Sequence, residues 1–232
     1  MKITIALGCL LLAALGGCKT TGQQRSETTQ DELIQFRSST VSMRDNLAAA
    51  LRELDQLVSK ADVDPKPHYE SFQNLVVSTR KSNERTRAGV KDVKRSGDDY
   101  FTRWEQELSS IASPEVKQRA EERRKELALE YQKIEEAMTR AEEKVAPLMS
   151  KLADLNTYWS HDLTPHGITT MADVARQASK DGEEAAKLLE GVLGEVDKVA
   201  SALKVSTPPP PEAQPAAAPP TTEKSEGEKP QG

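Results

Sequence analysis

The sequence predicts an all-α protein: an elongated antiparallel four-helix bundle or coiled coil, with a disordered N-terminal tether and a Pro-rich C-terminal tail. Three observations carry that expectation. Between residues 113 and 163, apolar or aromatic side chains fall at Leu127, Tyr131, Ile134, Met138, Ala141, Val145, Leu148, Leu152, Leu155 and Trp159. Their steps alternate four and three, the seam of a helix packed lengthwise against other helices. The composition agrees, with 36% hydrophobic, 30% charged and only 4% aromatic residues. That is poor in strand formers and suits long helices with a narrow buried stripe. Prolines, finally, sit where such helices would turn.

Four segments follow in order: residues 1–17 as a signal peptide, 18–27 as a flexible tether, 28–204 as the helical domain and 205–232 as a disordered tail. Lys2 and the apolar run from Ile3 to Leu15 read as a secretory signal, too short to span a bilayer as a helix. Leu15, Gly16, Gly17 and Cys18 follow at once. That pattern resembles the bacterial lipobox, whose cysteine becomes the lipidated first residue of the mature chain. Acyl chains contribute about 0.8 kcal/mol per buried methylene, so two or three would hold a soluble domain at a membrane. Lys19, where an Asp would signal retention, resembles sorting to an outer membrane. Both cysteines, Cys9 and Cys18, lie in this first stretch, so the body offers no disulfide, thiolate metal site or cysteine nucleophile.

The first helix is expected from about residue 28 to 61. Leu33, Phe36, Thr40, Met43, Leu47, Ala50, Leu54 and Leu57 keep the three-four alternation. Pro65 and Pro67 end it. The second runs from about 67 to 110 along Phe72, Val76, Thr79, Asn83, Thr86, Val90, Val93, Gly97, Tyr100, Trp104 and Leu108. Its polar middle, Thr79 with Asn83 and Thr86, reads either as a wet layer fixing register or as a weak stretch. Ser113 and Pro114 are a cap and a restart for the third helix. Pro147 lies inside that helix and predicts a kink without a stop. Thr164 and Pro165 repeat the capping signal and open one continuous fourth helix, whose first half buries mainly Ala and Gly. After Lys204, residues such as Pro208, Pro211, Pro215 and Pro220 among Ala, Thr, Glu and Lys cannot build a core.

Phe101, Trp104, Glu107 and Leu108, then Tyr131, Met138, Ala141, Glu142, Pro147 and Leu148, then His161, Asp162, Leu163 and Ile168 carry a family resemblance. Together they resemble the bacterial envelope family called Domain of Unknown Function 2959, over roughly residues 28–204. The resemblance implies a helical, coiled-coil lipoprotein and brings no activity with it. The stretch Thr164, Pro165, His166, Gly167 departs from the family, which more often carries Asn, Ala or Arg there.

Functional chemistry is sparse. His68, His161 and His166 all fall at the end of the bundle away from Cys18, near Asp64 and Asp162. Neutral imidazoles and carboxylates suit zinc, so these are the candidate metal ligands, weighed against exposed or capping histidines. Arg80, Lys81, Arg85, Arg87, Lys91, Lys94 and Arg95 make the second helix basic against Glu84 and Asp92. A phosphate-bearing envelope partner, such as lipid headgroups or lipopolysaccharide, is weighed against the better reading, in which acids of the fourth helix such as Asp181, Glu184 and Glu195 neutralise them. On the third helix, Lys117 with Glu121, Glu121 with Lys125 and Glu136 with Arg140 should pair. A net charge of −5 implies no polyanionic partner, and export argues against nucleic acid. No glycine-rich phosphate loop or nucleophile elbow occurs, so a non-enzyme without cofactor is expected.

Two functions fit. One is a lipid-held scaffold or interaction module, anchored through Cys18 and presenting its far end and tail to envelope proteins or the cell wall. The other is a ligand- or metal-binding sensor or carrier that uses the histidine end or the bundle interior, opening at Pro147 and at the Thr79, Asn83 and Thr86 layer to take a small apolar or metal ligand. The same seams would also serve a homo-oligomer.

Overall fold

The computed structural model describes residues 21–204, so Cys18, the signal segment and the Pro-rich tail lie outside the described residues. Within them all secondary structure is helical, in five helices and no strand. They are α1 (Thr21–Ser59), α2 (Lys66–Leu108), α3 (Pro114–His161), α4 (Pro165–Thr170) and α5 (Ala172–Leu203). The caps expected from sequence form. Ser113 Oγ accepts the Val116 amide, and Thr164 Oγ1 accepts the Gly167 amide, each with Pro at the first helical position. The local turn at Thr164 therefore closes in spite of its departure from the family pattern.

Two boundaries differ from expectation. Helix α1 starts at Thr21, so most of the stretch expected to be a tether is helical. Tertiary contacts recruit it: Ser26 Oγ donates to the Leu203 carbonyl at 2.7 Å, and Arg25 pairs with Glu107. The expected fourth helix is two helices, interrupted at Met171 (φ −96°, ψ 2°). Thr169 and Thr170 donate their hydroxyls to the Pro165 and His166 carbonyls four residues back, an arrangement that bends a helix at that point. Pro147, by contrast, is exposed and α3 continues through it to His161.

The long helices form a bundle in which α1 packs on α2 and α5, and α3 packs on α2 and α5. Each contacting pair is antiparallel. Arg25 meets Glu107 and Glu53 meets His68 between α1 and α2, while Lys151 meets Asp181 and Lys144 meets Glu184 between α3 and α5. Helices α2 and α5 lie diagonally across the bundle. The core follows the expected seams, with Leu33, Leu47, Leu54, Phe72, Ile134, Leu152, Leu189 and Val196 at 0% exposure. Trp159 is its largest buried side chain and meets Phe72 edge-on at 5.9 Å. At Gly182 the Leu51 side chain comes so close that α5 has no room for a Cβ.

The polar layer is real, but its membership shifts by one residue. Thr79, Ser82 and Thr86 are buried while Asn83 is half-buried. Helix α2 faces two neighbours at once, so Ser82 turns toward α1, where the Asn46 amide donates to its hydroxyl at 3.4 Å. Thr79 and Ser82 hydroxyls bond carbonyls of their own helix, which lets them sit in an apolar interior. No described helix is long and apolar enough to cross a membrane.

Candidate interaction groove

The histidines do not converge. His68, half-buried on α2, places Nδ1 2.8 Å from a Glu53 oxygen on α1. His161 and His166 are exposed on either side of the Thr164 turn. Among the described residues no group of three or more His, Cys, Asp or Glu stands ready to hold a metal. Loop geometry separates them: Asp162 is held inside its own turn by donors from Thr164, whose hydroxyl lies at 2.6 Å. Those hydrogen bonds keep the Asp162 carboxyl below its ordinary range. What gathers beside this end is the aromatic plug of Phe72 and Trp159, with the Tyr69 hydroxyl donating to the Asn156 carbonyl.

The seam between α2 and α3 is the loosest of the four long seams. Two contiguous hollows open along it, of about 360 and 500 Å³, sharing Val90, Lys94 and Glu135. The floor is apolar: Val93 and Ile134 in one part, Met138 and Ala146 in the other. One end is closed by Phe101 edge-on to Tyr131 at 5.4 Å. There α2 carries Gly97, where a Cβ would stand 2.8 Å from the Tyr131 ring. The missing side chain lets that ring pass beneath α2 into the core. The Tyr131 hydroxyl is buried without a partner, and burial pushes its ionisation far above the ordinary phenol range. Trp104, half-buried, extends the same aromatic group by packing edge-on against Tyr100 at 5.7 Å.

The two banks of the groove differ in charge. Arg87, Lys91 and Lys94 line the α2 bank; Glu135, Glu142 and Glu143 line the α3 bank. Two ion pairs span it, Lys94 with Glu135 at 3.1 Å and Arg87 with Glu142 at 3.4 Å. Hydrogen bonding to Glu135 and its charge hold the Lys94 ammonium above its usual range. Burial pushes the Glu142 carboxyl up, against the pull of Arg87, and its Oε2 is buried without a partner. The hollows do not take in Thr79, Asn83, Thr86 or Pro147, the positions where a ligand-carrying interior was expected to open.

The expected neutralisation of α2 by the last helix does not occur. The α5 acids reach elsewhere: Asp197 pairs with Arg37 on α1, Glu184 with Lys144 and Asp181 with Lys151 on α3. The diagonal placement of α2 and α5 keeps them apart. Among the described residues Arg80, Lys81, Arg85 and Lys91 are exposed, and none of them makes an ion pair. The three i,i+4 pairs expected on α3 are likewise replaced, by Arg119 with Glu115, Arg123 with Glu126 and Lys133 with Glu130. Each such contact is worth only a few tenths of a kcal/mol, so small rotamer preferences decide which one forms.

Fold and groove together define a class: an all-helical bundle with a closed core and a groove along the seam of α2 with α3. A family model described as "Protein of unknown function (DUF2959)" matches residues 16–203. The chain belongs to that family. No curated protein and no solved structure matches it.

Proposed function

We propose that this chain is a lipid-anchored protein of the bacterial cell envelope that works as an interaction module. In this reading Cys18 is acylated and holds the amino end at a membrane, the outer one by the residue at position 19. The helical domain is then an antiparallel four-helix bundle of about 60 Å, judged from a 43-residue α2. It faces the periplasm and presents a side surface to envelope proteins or the cell wall.

One observation carries the reading: the seam of α2 with α3 is open, floored by apolar side chains, with the exposed Lys91 on its α2 bank making no ion pair among the described residues. Buried seams stabilise a fold, whereas an exposed apolar strip with uncompensated charge beside it is what a partner surface needs. Photo-crosslinking residues introduced along α2, α3 and the tail in living cells test it. Specific adducts with envelope proteins or wall are expected, and their absence at every position would remove the interaction reading. Anchoring is checked separately by fractionation, where Cys18→Ser should move the chain from the membrane to the soluble fraction.

A further inference from the structure

We infer that the groove of α2 with α3 is a contact surface for a second copy of this chain. The two copies lie parallel, the basic α2 bank of each over the acidic α3 bank of the other. The inference deepens the interaction-module reading and rests on it.

Spacing points to a helical partner. On α2, Arg87, Lys91, Lys94 and Asp98 step by four, three and four, and on α3 so do Glu135, Thr139, Glu142 and Ala146. These positions follow the apolar seam by one residue, as Lys91 follows Val90, Lys94 follows Val93, Glu135 follows Ile134 and Thr139 follows Met138. Positions beside an apolar seam are where paired helices place the charges that choose partner and orientation. Thr139 and Ala146 are small, so the aliphatic stems of a neighbouring copy's cations have room to lie over Met138.

Charge selects the occupant. The α2 bank carries Arg87, Lys91 and Lys94 with Asp98, and the α3 bank carries Glu135, Glu142 and Glu143 with no cation in its lining. A uniformly acidic or uniformly basic helix would meet one bank of its own sign, so neither is favoured. An occupant with one stripe of each sign at the same spacing satisfies both, and this chain itself presents that pair of stripes. Lys91 and Glu143 are exposed and make no ion pair among the described residues, which leaves a charge of each sign on offer.

Symmetry then fixes the orientation. A two-fold axis along the groove keeps every residue at its own height and exchanges the banks, so each α2 lies over the other copy's α3. Within one chain Arg87 is level with Glu142 at 3.4 Å, and Lys94 with Glu135 at 3.1 Å. The same residues are then level between the two copies. Asp98, the one acid on the basic bank, falls level with the neutral Gln132. A two-fold axis across the groove would instead set α2 on α2 and cation against cation. The first arrangement also keeps both amino ends together, as two chains anchored in one membrane require, and shared anchoring raises their effective concentration.

Sedimentation equilibrium of the full-length chain in detergent reads the association. The parent should dimerise reversibly, and more weakly in added salt. Reversing the α2 bank (Lys91→Glu, Lys94→Glu) or the α3 bank (Glu135→Lys, Glu143→Lys) should weaken self-association at least about tenfold. All four residues are exposed, and circular dichroism of each variant confirms an intact bundle. An equimolar mixture of the two variants should restore the dimer, because each reversed bank then faces its opposite. Val63→Cys, in a chain with Cys9→Ser and Cys18→Ser, puts a dye at the exposed turn after α1. Energy transfer between two labelled copies is expected, whereas an antiparallel pair would hold the dyes about 60 Å apart. A parent still monomeric at about 1 mM overturns the inference. So do reversed variants that associate like the parent, a mixture that stays monomeric, or a dimer without energy transfer. A parent that pairs only when ended after Lys204 also overturns it, and puts the tail in the groove. In the cellular scan, adducts to other proteins but none between two copies at position 91 leave the interaction module standing and remove the second copy. No adduct anywhere removes both.

Discussion

At the scale of single residues, the glycines separate space that is used from space that is free. Gly97 is pressed against the Tyr131 ring, whereas Gly191 and Gly194 have nothing within 4 Å of where a Cβ would go. Gly97→Ala must push a buried, rigid ring, and overpacking of that kind costs about 1–3 kcal/mol, enough to outweigh the helix-propensity gain of about 1 kcal/mol. Gly191→Ala should instead raise stability by about 1 kcal/mol, since only the propensity gain applies. Thermal and urea unfolding of the two variants should therefore move in opposite directions. Glu142 supplies a second test. Its folded carboxyl titrates above its ordinary value because burial disfavours the charge. The folded state therefore binds its proton more readily than the unfolded state does. The stability that this preference contributes is present below the unfolded pKa and is lost as pH rises through the folded one. Glu142→Gln should flatten that part of the pH profile, so the parent should gain stability relative to the variant as pH falls across the window. Urea midpoints at a series of pH values measure it; parallel profiles would contradict the assignment.

At the scale of elements, the short helix α4 depends on its cap. Thr164 Oγ1 accepts the Gly167 amide at 3.1 Å and donates to Asp162 at 2.6 Å, and Ile168 behind it is fully buried. Thr164→Ala removes both bonds and should cost about 1 kcal/mol. Amide exchange should quicken in residues 165–170 with little change in α1 or α2, because the lost contacts are local to the turn. Exchange that rose uniformly would show instead that the turn governs the whole bundle. Helix α1 teaches the reverse lesson about propensity. Thr21 and Gly22 are poor helix formers, although Gln23 and Gln24 are good ones. They continue the helix because residues just beyond them, Arg25 and Ser26, are tied to α2 and α5.

At the scale of the whole molecule, closure depends on α5 reaching the start of α1. Val199 is 0% exposed and Leu203 is 4% exposed, and the Leu203 carbonyl takes the Ser26 hydroxyl. A chain ended after Lys204 loses none of the buried side chains described here and should unfold at the parent midpoint. One ended after Val196 loses Val199 and Leu203, each worth about 1.5–3 kcal/mol of burial. It should be several kcal/mol less stable, with α1 fraying at its start. Calorimetry of the two truncations checks this, and equal destabilisation of both would mean that the residues after 204 support the bundle.

The repeating apolar seams made the helices legible, because a 3.5-residue period has one structural meaning and Pro and Ser at the turns have few others. Leu33, Phe36, Met43, Leu47, Ile134, Leu148, Leu152 and Trp159 could all be placed inward from spacing alone. Family membership, too, was readable in the short motifs of α2 and α3. Which helix faces which was not. Periodicity reports which stripe of a helix is buried and is silent about the neighbour that buries it. The sequence therefore paired the cations of α2 with the acids of the last helix, and the histidines with one another. Only the packed arrangement, with α2 and α5 on a diagonal, showed Arg80, Lys81, Arg85 and Lys91 to make no ion pair among the described residues, and the seam of α2 with α3 to be open. Charges act over short screened distances, so their meaning waits on tertiary neighbours in a way that an apolar stripe does not.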